Sequence, residues 1–332
     1  MSNDHTTTRE RNELLAKKLP FPIIPTAIEG VYTSPPWPKD FDIATATDSE
    51  LKRHGIFFRR PGPTDDPRLH EAWKLATSRV WRPEDRLTPI MKVQEGRTHL
   101  RGPVTRGEDG TYYGGGWSGG AVKGKWSGVI GQWKIPTVYK PREPAGEDGG
   151  WTSSSWVGLD GAYTSNDVLQ AGVAQQVDGA GKASYVAWYE WYAPSTPTSP
   201  PYIWQINITN MPVSAGDVMF CSVQYLGTTA GHLWLMNVTT GKQMSITLAP
   251  PPGATFDGES AEWIMECNDG AEPSESLPAF TPVDFTGCVA CGPNTASVTP
   301  QNGDTFVIQG DQGQSLTQTT LGDGTVTIDF IG

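Results

Sequence analysis

The chain has 332 residues, room for one large or two modest cores, and 37% of them are hydrophobic, which excludes disorder throughout. With 38 Gly, 28 Pro, 13 Trp, 10 Tyr and 10 Phe, the composition points to strands punctuated by turns. The formal net charge of −11 is uneven: residues 1–110 carry 18 Lys/Arg against 16 Asp/Glu, whereas residues 111–332 carry 7 against 20. So acidic a region repels nucleic acid and anionic lipid, and neither is expected as a partner. With its carboxylates protonated it would keep only its few Lys/Arg and His232 as charges. Little is left to repel, so this part is expected to suit low pH.

No apolar run reaches the ~18 residues of a membrane span, and no membrane partner is expected. Leu14-Leu15-Ala16, followed by Lys17-Lys18, offers no apolar core of a signal peptide. Residues 8–18 predict a highly charged helix. Asp66-Pro67 supplies an N-cap and a first-turn proline. Leu69, Ala72, Trp73, Ala76 and Val80 then follow at helical spacing until Trp81-Arg82-Pro83 ends the run. Pro-rich stretches at 20–38 and 61–67 separate these pieces, and 83–113 reads as a linker.

From residue 114 the period changes to two. Trp156–Asp160, Val168–Val173, Tyr185–Tyr192, Ile203–Ile208, Val218–Tyr225, His232–Val238, Ala261–Glu266 and Thr325–Ile331 all read as strands. The expected fold is all-β: a two-sheet antiparallel β-sandwich, jelly-roll or lectin-like, preceded by a partly helical N-terminal segment. The boundary falls between residues 1–112 and 113–332.

Several motif matches lack their context. Gly116-Trp117-Ser118-Gly119-Gly120 fits a hydrolase elbow but has neither a following helix nor a suitable His partner. It reads better as a glycine-rich entry to the first strand. Cys288-Val289-Ala290-Cys291 supplies two of the four ligands of a structural zinc, so a local disulfide or two free thiols is favoured. No H-E-x-x-H occurs, and no metal is expected.

Four segments carry more. Val157 and Leu159 share one face of their strand, leaving Trp156 and Asp160 on the other; Leu169, Ala171 and Val173 likewise leave Gln170 opposite. Val186, Trp188, Glu190 and Tyr192 alternate onto one face, and Glu262 and Glu266 lie opposite Ala261, Trp263 and Met265. Gln, Glu and Asp interleaved with Trp and Tyr suit a semi-enclosed groove better than a solvated outer face.

Together with Trp117-Ser118-Gly119 and Pro278–Phe285, these segments resemble, in order from about residue 114 to about 290, the glutamic peptidases (eqolisins). The resemblance implies an acid endopeptidase on a β-sandwich with a Glu/Gln dyad. It places Gln170 on the catalytic glutamine and Glu266 on the catalytic glutamate. Trp156, Asp160, Trp188, Glu190 and Trp117 fall on substrate-binding or supporting positions. It further implies polypeptide substrates, no cofactor, an N-terminal prosegment in residues 1–112 and secretion; a monomer is expected. Cys221, Cys267, Cys288 and Cys291 do not reproduce the disulfide pairing of the fungal members.

The chemistry stands on its own terms. A carboxylate can take a proton from water and return it to a leaving amine, and a neutral amide can hold an oxyanion at any pH. Histidine would be protonated and useless as a base in acid, which fits its scarcity after residue 110. The alternatives are a β-sandwich glycoside hydrolase using Glu190 and Glu266, and a non-catalytic carbohydrate- or peptide-binding module.

Overall fold

The alternating segments become strands because each has one face that must leave water, and two such sheets can bury those faces against each other. The structure, a computed structural model, describes residues 1–332 except 1–7, 59, 78–81, 100, 142–149, 166, 194–203, 268–272 and 293–295. It holds two ten-stranded sheets packed face to face, called here the site sheet and the back sheet. Val157, Leu159, Leu169, Ala171, Val173, Trp263 and Met265 of the site sheet meet Val223, Leu233, Leu235, Met244 and Ile246 of the back sheet in the central core. The face assignments made from period two therefore hold at these positions.

The site sheet runs in the order Met91–Gln94, Gln205–Ile208, Ala183–Tyr192, Val168–Asp178, Gly150–Leu159, Ser260–Cys267, Trp117–Lys123, Asp304–Val307, Tyr112–Gly114, Val104–Arg106. Its pairings are antiparallel except that between Asp304–Val307 and Tyr112–Gly114. The central strands are longer than predicted. Gly150–Leu159 starts well before Trp156 because Ser153 and Ser155, polar but fully buried, are satisfied by Gln175. Ile203, the predicted start of one strand, lies outside the described residues.

Residues 83–113 are not a linker. They contribute Met91–Gln94 to one edge of the site sheet and Val104–Arg106 and Tyr112–Gly114 to the other. Strands this short show little periodicity of their own; the partner strand decides them. Residues 95–99 and 101–103 therefore cross the outer face between its edges as a strap. Nine inter-strand steps of about 4.8 Å make about 43 Å along the sheet. Ten residue steps from Gln94 to Val104 reach at most about 35 Å. The sheet must curve toward the strap, and the face beneath it is concave.

The rest of the N-terminal region covers the back sheet. Val31–Thr33 pairs with Lys242–Leu248 and extends that sheet. The helices Asp48–Arg53 and Pro67–Thr77 belong to a cap in which Leu51, Ile56, Phe58, Leu69 and Trp73 pack on Phe220, Trp234 and Met236. The charged helix Thr8–Lys18 forms as expected. The predicted helix end at Val80 and Trp81 lies outside the described residues.

Candidate active site

The concave face of the site sheet is floored by aromatic rings. Trp117, Trp156 and Trp188 are fully buried there, and Trp117 meets Trp156 edge to face at 4.8 Å. Strand register brings the polar residues among them. Gln170 stands directly opposite Glu190 on the neighbouring strand, and Glu266 opposite Trp117. Gln170 Nε2 donates to Glu190 Oε2 at 2.9 Å, and Trp156 Nε1 donates to Glu266 Oε2 at 2.8 Å. Gln170 Oε1 and Glu190 Oε1 have no hydrogen-bond partner among the described residues.

The strap enters this cluster with His99, which is completely buried. Its Nδ1 lies 2.8 Å from Glu266 Oε2 and its Nε2 2.7 Å from Gln205 Oε1. Its backbone N–H donates to Glu190 Oε2 at 2.9 Å, and its carbonyl accepts from Gln170 Nε2 at 3.0 Å. The ring stacks on Trp188 at 3.6 Å, the planes 4° apart.

Both ring nitrogens of His99 face acceptors. Gln205 turns its oxygen to the ring because its amide nitrogen donates to Asn207 Oδ1, while Asn207 donates in turn to Gln94. Against an ionised Glu266, two acceptors demand two donors, and the ring is then an imidazolium. Burial alone would pull the His99 pKa down. The charge and hydrogen bond of Glu266, with the charge of Glu190, outweigh burial and leave it raised. Burial pushes the Glu190 carboxyl up to about 7, against the charge and backbone hydrogen bond of His99.

Five of the predicted residues, Gln170, Glu266, Glu190, Trp156 and Trp188, thus meet around one strap residue, with Trp117 behind Trp156. Asp160 is not brought into this group. At φ 72° it leaves the strand alternation, so it no longer shares the face of Trp156. Its carboxylate instead accepts from the Tyr225 hydroxyl and the backbone N–H groups of Gly258 and Glu259. Burial drives its pKa up to about 6. His99 and Gln205 were missed by the sequence reading, His99 because its segment reads as linker. The rarity of histidine, 5 in the chain, is the one signal that singles it out.

Among the described residues no cluster of His, Cys, Asp and Glu could hold a metal ion. All four cysteines are free thiols, Cys288 and Cys291 included.

Residues 115–330 match the model of the Peptidase A4 family. The chain belongs to that family. It is therefore a hydrolase of peptide bonds, an endopeptidase of the glutamic (eqolisin) kind. It is 26% identical over 260 residues to aspergillopepsin-2 of Aspergillus niger, covering 71% of this chain and 88% of that protein. To scytalidopepsin B of Scytalidium lignicola it is 30% identical over 178 residues, 50% of this chain and 63% of that one. The fold matches a crystal structure of scytalido-glutamic peptidase bound to a transition-state analogue inhibitor, with a TM-score of 0.52 and 23% identity. That match covers 65% of this chain and 98% of the other. No helix among the described residues is long and apolar enough to cross a membrane.

Proposed function

We propose that Glu266 and Gln170 are the catalytic pair of this endopeptidase, acting in acid on an extended polypeptide laid across the concave sheet. Their convergence on one strap residue carries this reading. Glu266 Oε2 lies 2.8 Å from the His99 ring while Gln170 Nε2 lies 3.0 Å from the same residue's carbonyl oxygen. A substrate held likewise has its carbonyl on a neutral donor and a carboxylate beside it.

Glu266 takes a proton from the water that adds to the carbonyl carbon, then gives it to the leaving amine. Gln170 donates its amide N–H to the oxyanion and is uncharged at every pH. Its Oε1 is an acceptor suited to the attacking water. Glu190 acts through Gln170, as a positioning residue that holds the amide by its Nε2. Trp156 orients the Glu266 carboxylate, and Trp117 and Trp188 complete the floor. One chain supplies every residue of the site, which supports a monomer. Residues 1–112 serve as an intramolecular inhibitor, because the strap lies where the substrate would. The sparse Lys/Arg of residues 111–332 favours an acidic setting, in keeping with secretion.

The test is hydrolysis of denatured protein across the acid range, with products read by mass spectrometry. Glu266→Gln should lower turnover by about 10²–10⁴. Gln170→Ala should lower it by about 10²–10³. The double variant should lose well short of the product of the two, since both act on one transition state. Glu190→Gln should be milder and shift the pH profile. Near-normal turnover in Gln170→Ala would overturn the assignment.

A further inference from the structure

Where the N-terminal region meets the back sheet, Arg86 is 8% exposed and has only neutral partners. Its Nη2 donates to Ser34 Oγ at 2.5 Å, Ser245 Oγ at 3.0 Å and Thr33 Oγ1 at 3.5 Å. Its Nη1 is buried and has no hydrogen-bond partner among the described residues. Asp85, next to it in the chain, turns instead to Lys242 and to the backbone N–H of Arg82. Burial pushes the Arg86 pKa down to about 10, with no carboxylate to oppose it.

The surroundings do not supply the missing charge. Ser34 and Ser245 donate to the carbonyls of His54 and Gly55, and Thr33 to that of Ser245, so all three face Arg86 as neutral acceptors. The nearby ionisable groups are His54 and His232, both bases, and the charge of Arg86 helps to push each of them down. Gln243 pairs with Arg86 through the backbone and turns its amide oxygen to Trp234 Nε1. Its Nε2 is therefore a second buried donor without a partner among the described residues. A buried cation left unpaired is strongly unfavourable, and donors without acceptors add to that cost.

We propose that a small monovalent anion of the halide class binds at Arg86 Nη1, with Gln243 Nε2 as a second donor, and ties the N-terminal region to the back sheet. One unanswered positive charge calls for one negative charge, and a site this enclosed calls for a small ion. Arg86, Thr33 and Ser34 come from the N-terminal region, Ser245 and Gln243 from the sheet strand Lys242–Leu248. The site therefore exists only while the two are docked, and by linkage its occupant favours the docked, folded chain. An approach lies on the His54 side, where His54 and Arg53 line a pocket of about 370 Å³ with Glu50, Pro35 and Pro36. The chain as a whole carries −11, which draws cations to its surface, so stabilisation by an anion requires a local site.

The experiment is urea unfolding of the full chain at neutral pH and fixed ionic strength, with sodium chloride replacing sodium gluconate, whose anion is too bulky for the site. The ratio of folded to unfolded chain should rise with chloride, approaching tenfold for each tenfold of chloride above the dissociation constant. Arg86→Met keeps the apolar stem, removes the charge, and should lose this dependence. Crystals of the parent chain soaked in sodium bromide give a second measurement that needs no variant to fold. Their anomalous peak should lie at hydrogen-bond distance from Arg86 Nη1. Equal midpoints in chloride and gluconate would overturn the proposal. So would a chloride dependence that survives in Arg86→Met, or a bromide map with no peak at Arg86.

Discussion

The N-terminal arm covers both outer faces of the sandwich, and it does so by opposite means. Over the back sheet it lays down rings: Phe58 sits 5.8 Å from Trp73, 6.2 Å from Phe220 and 6.5 Å from Trp234, all of them buried. Over the site sheet it lays down one histidine, its ring against Glu266 and Gln205 and its backbone against Glu190 and Gln170. Apolar contact scarcely changes with pH; an ion pair in a buried site changes completely. The first kind of cover suits a permanent attachment and the second a releasable one.

The buried ionisable groups repeat this division. Under or beside the strap, burial raises Glu190 to about 7 and Asp160 to about 6, and raises Glu262 well above the ordinary carboxyl value. Under the cap, burial together with Arg86 lowers His232 to about 3, against the pull of its hydrogen bond to Gly55. Acid therefore relieves the site sheet and strains the cap.

The largest effect expected is in the cap. Phe58→Ala should cost about 3–5 kcal/mol of unfolding free energy, by lost transfer energy and the cavity left behind. Urea unfolding at neutral and acid pH should give the same cost, since no titrating group is removed. If the variant also hydrolysed added protein faster, the two covers would be coupled and the division above would fail.

How much of this was legible beforehand depends on whether a residue's partner lies in its own pattern. Gln170, Glu190 and Glu266 were readable because period two, set by the apolar residues between them, fixes their face. Asp160 was misread for the same reason: a positive φ at the strand end changes its direction without altering the letters around it. His99 was invisible because nothing in Glu95-Gly96-Arg97-Thr98 is periodic. What places it is the pairing of Met91–Gln94 and Val104–Arg106 at opposite sheet edges, a long-range fact. The cap's helix could be seen in Leu69, Ala72, Trp73 and Ala76, but not which sheet would receive it.

The next effect in size belongs to the site sheet. Glu262 is fully buried, and neither carboxyl oxygen has a hydrogen-bond partner among the described residues. Its folded pKa is raised, so its contribution is complete below the unfolded value, about 4.5, and is lost as pH rises toward the folded one. Glu262→Gln stays neutral throughout. The variant should gain stability relative to the parent as pH rises above about 4.5, measured as the difference in urea midpoints. A constant difference would remove Glu262 from the account of acid preference and leave Glu190 and Asp160 to carry it.

The last effect expected is the mirror image, beneath the cap. His232 is 1% exposed, donates from Nε2 to the Gly55 carbonyl at 3.1 Å, and has the Phe57 ring 4.7 Å away. Its Nδ1 has no partner among the described residues, so a second proton there would be buried and unanswered. With the folded pKa lowered from 6.5 to about 3, its contribution is whole above 6.5 and is lost as pH falls toward 3. His232→Gln can still donate an amide N–H to Gly55 but never takes up a proton. The variant should therefore gain on the parent as pH falls from about 6.5 to about 3, the reverse of the Glu262→Gln slope. If His232→Gln instead tracks the parent through this range, His232 titrates alike in folded and unfolded chains. Water would then reach it beneath the cap, and the back face would be open to acid rather than sealed by its rings.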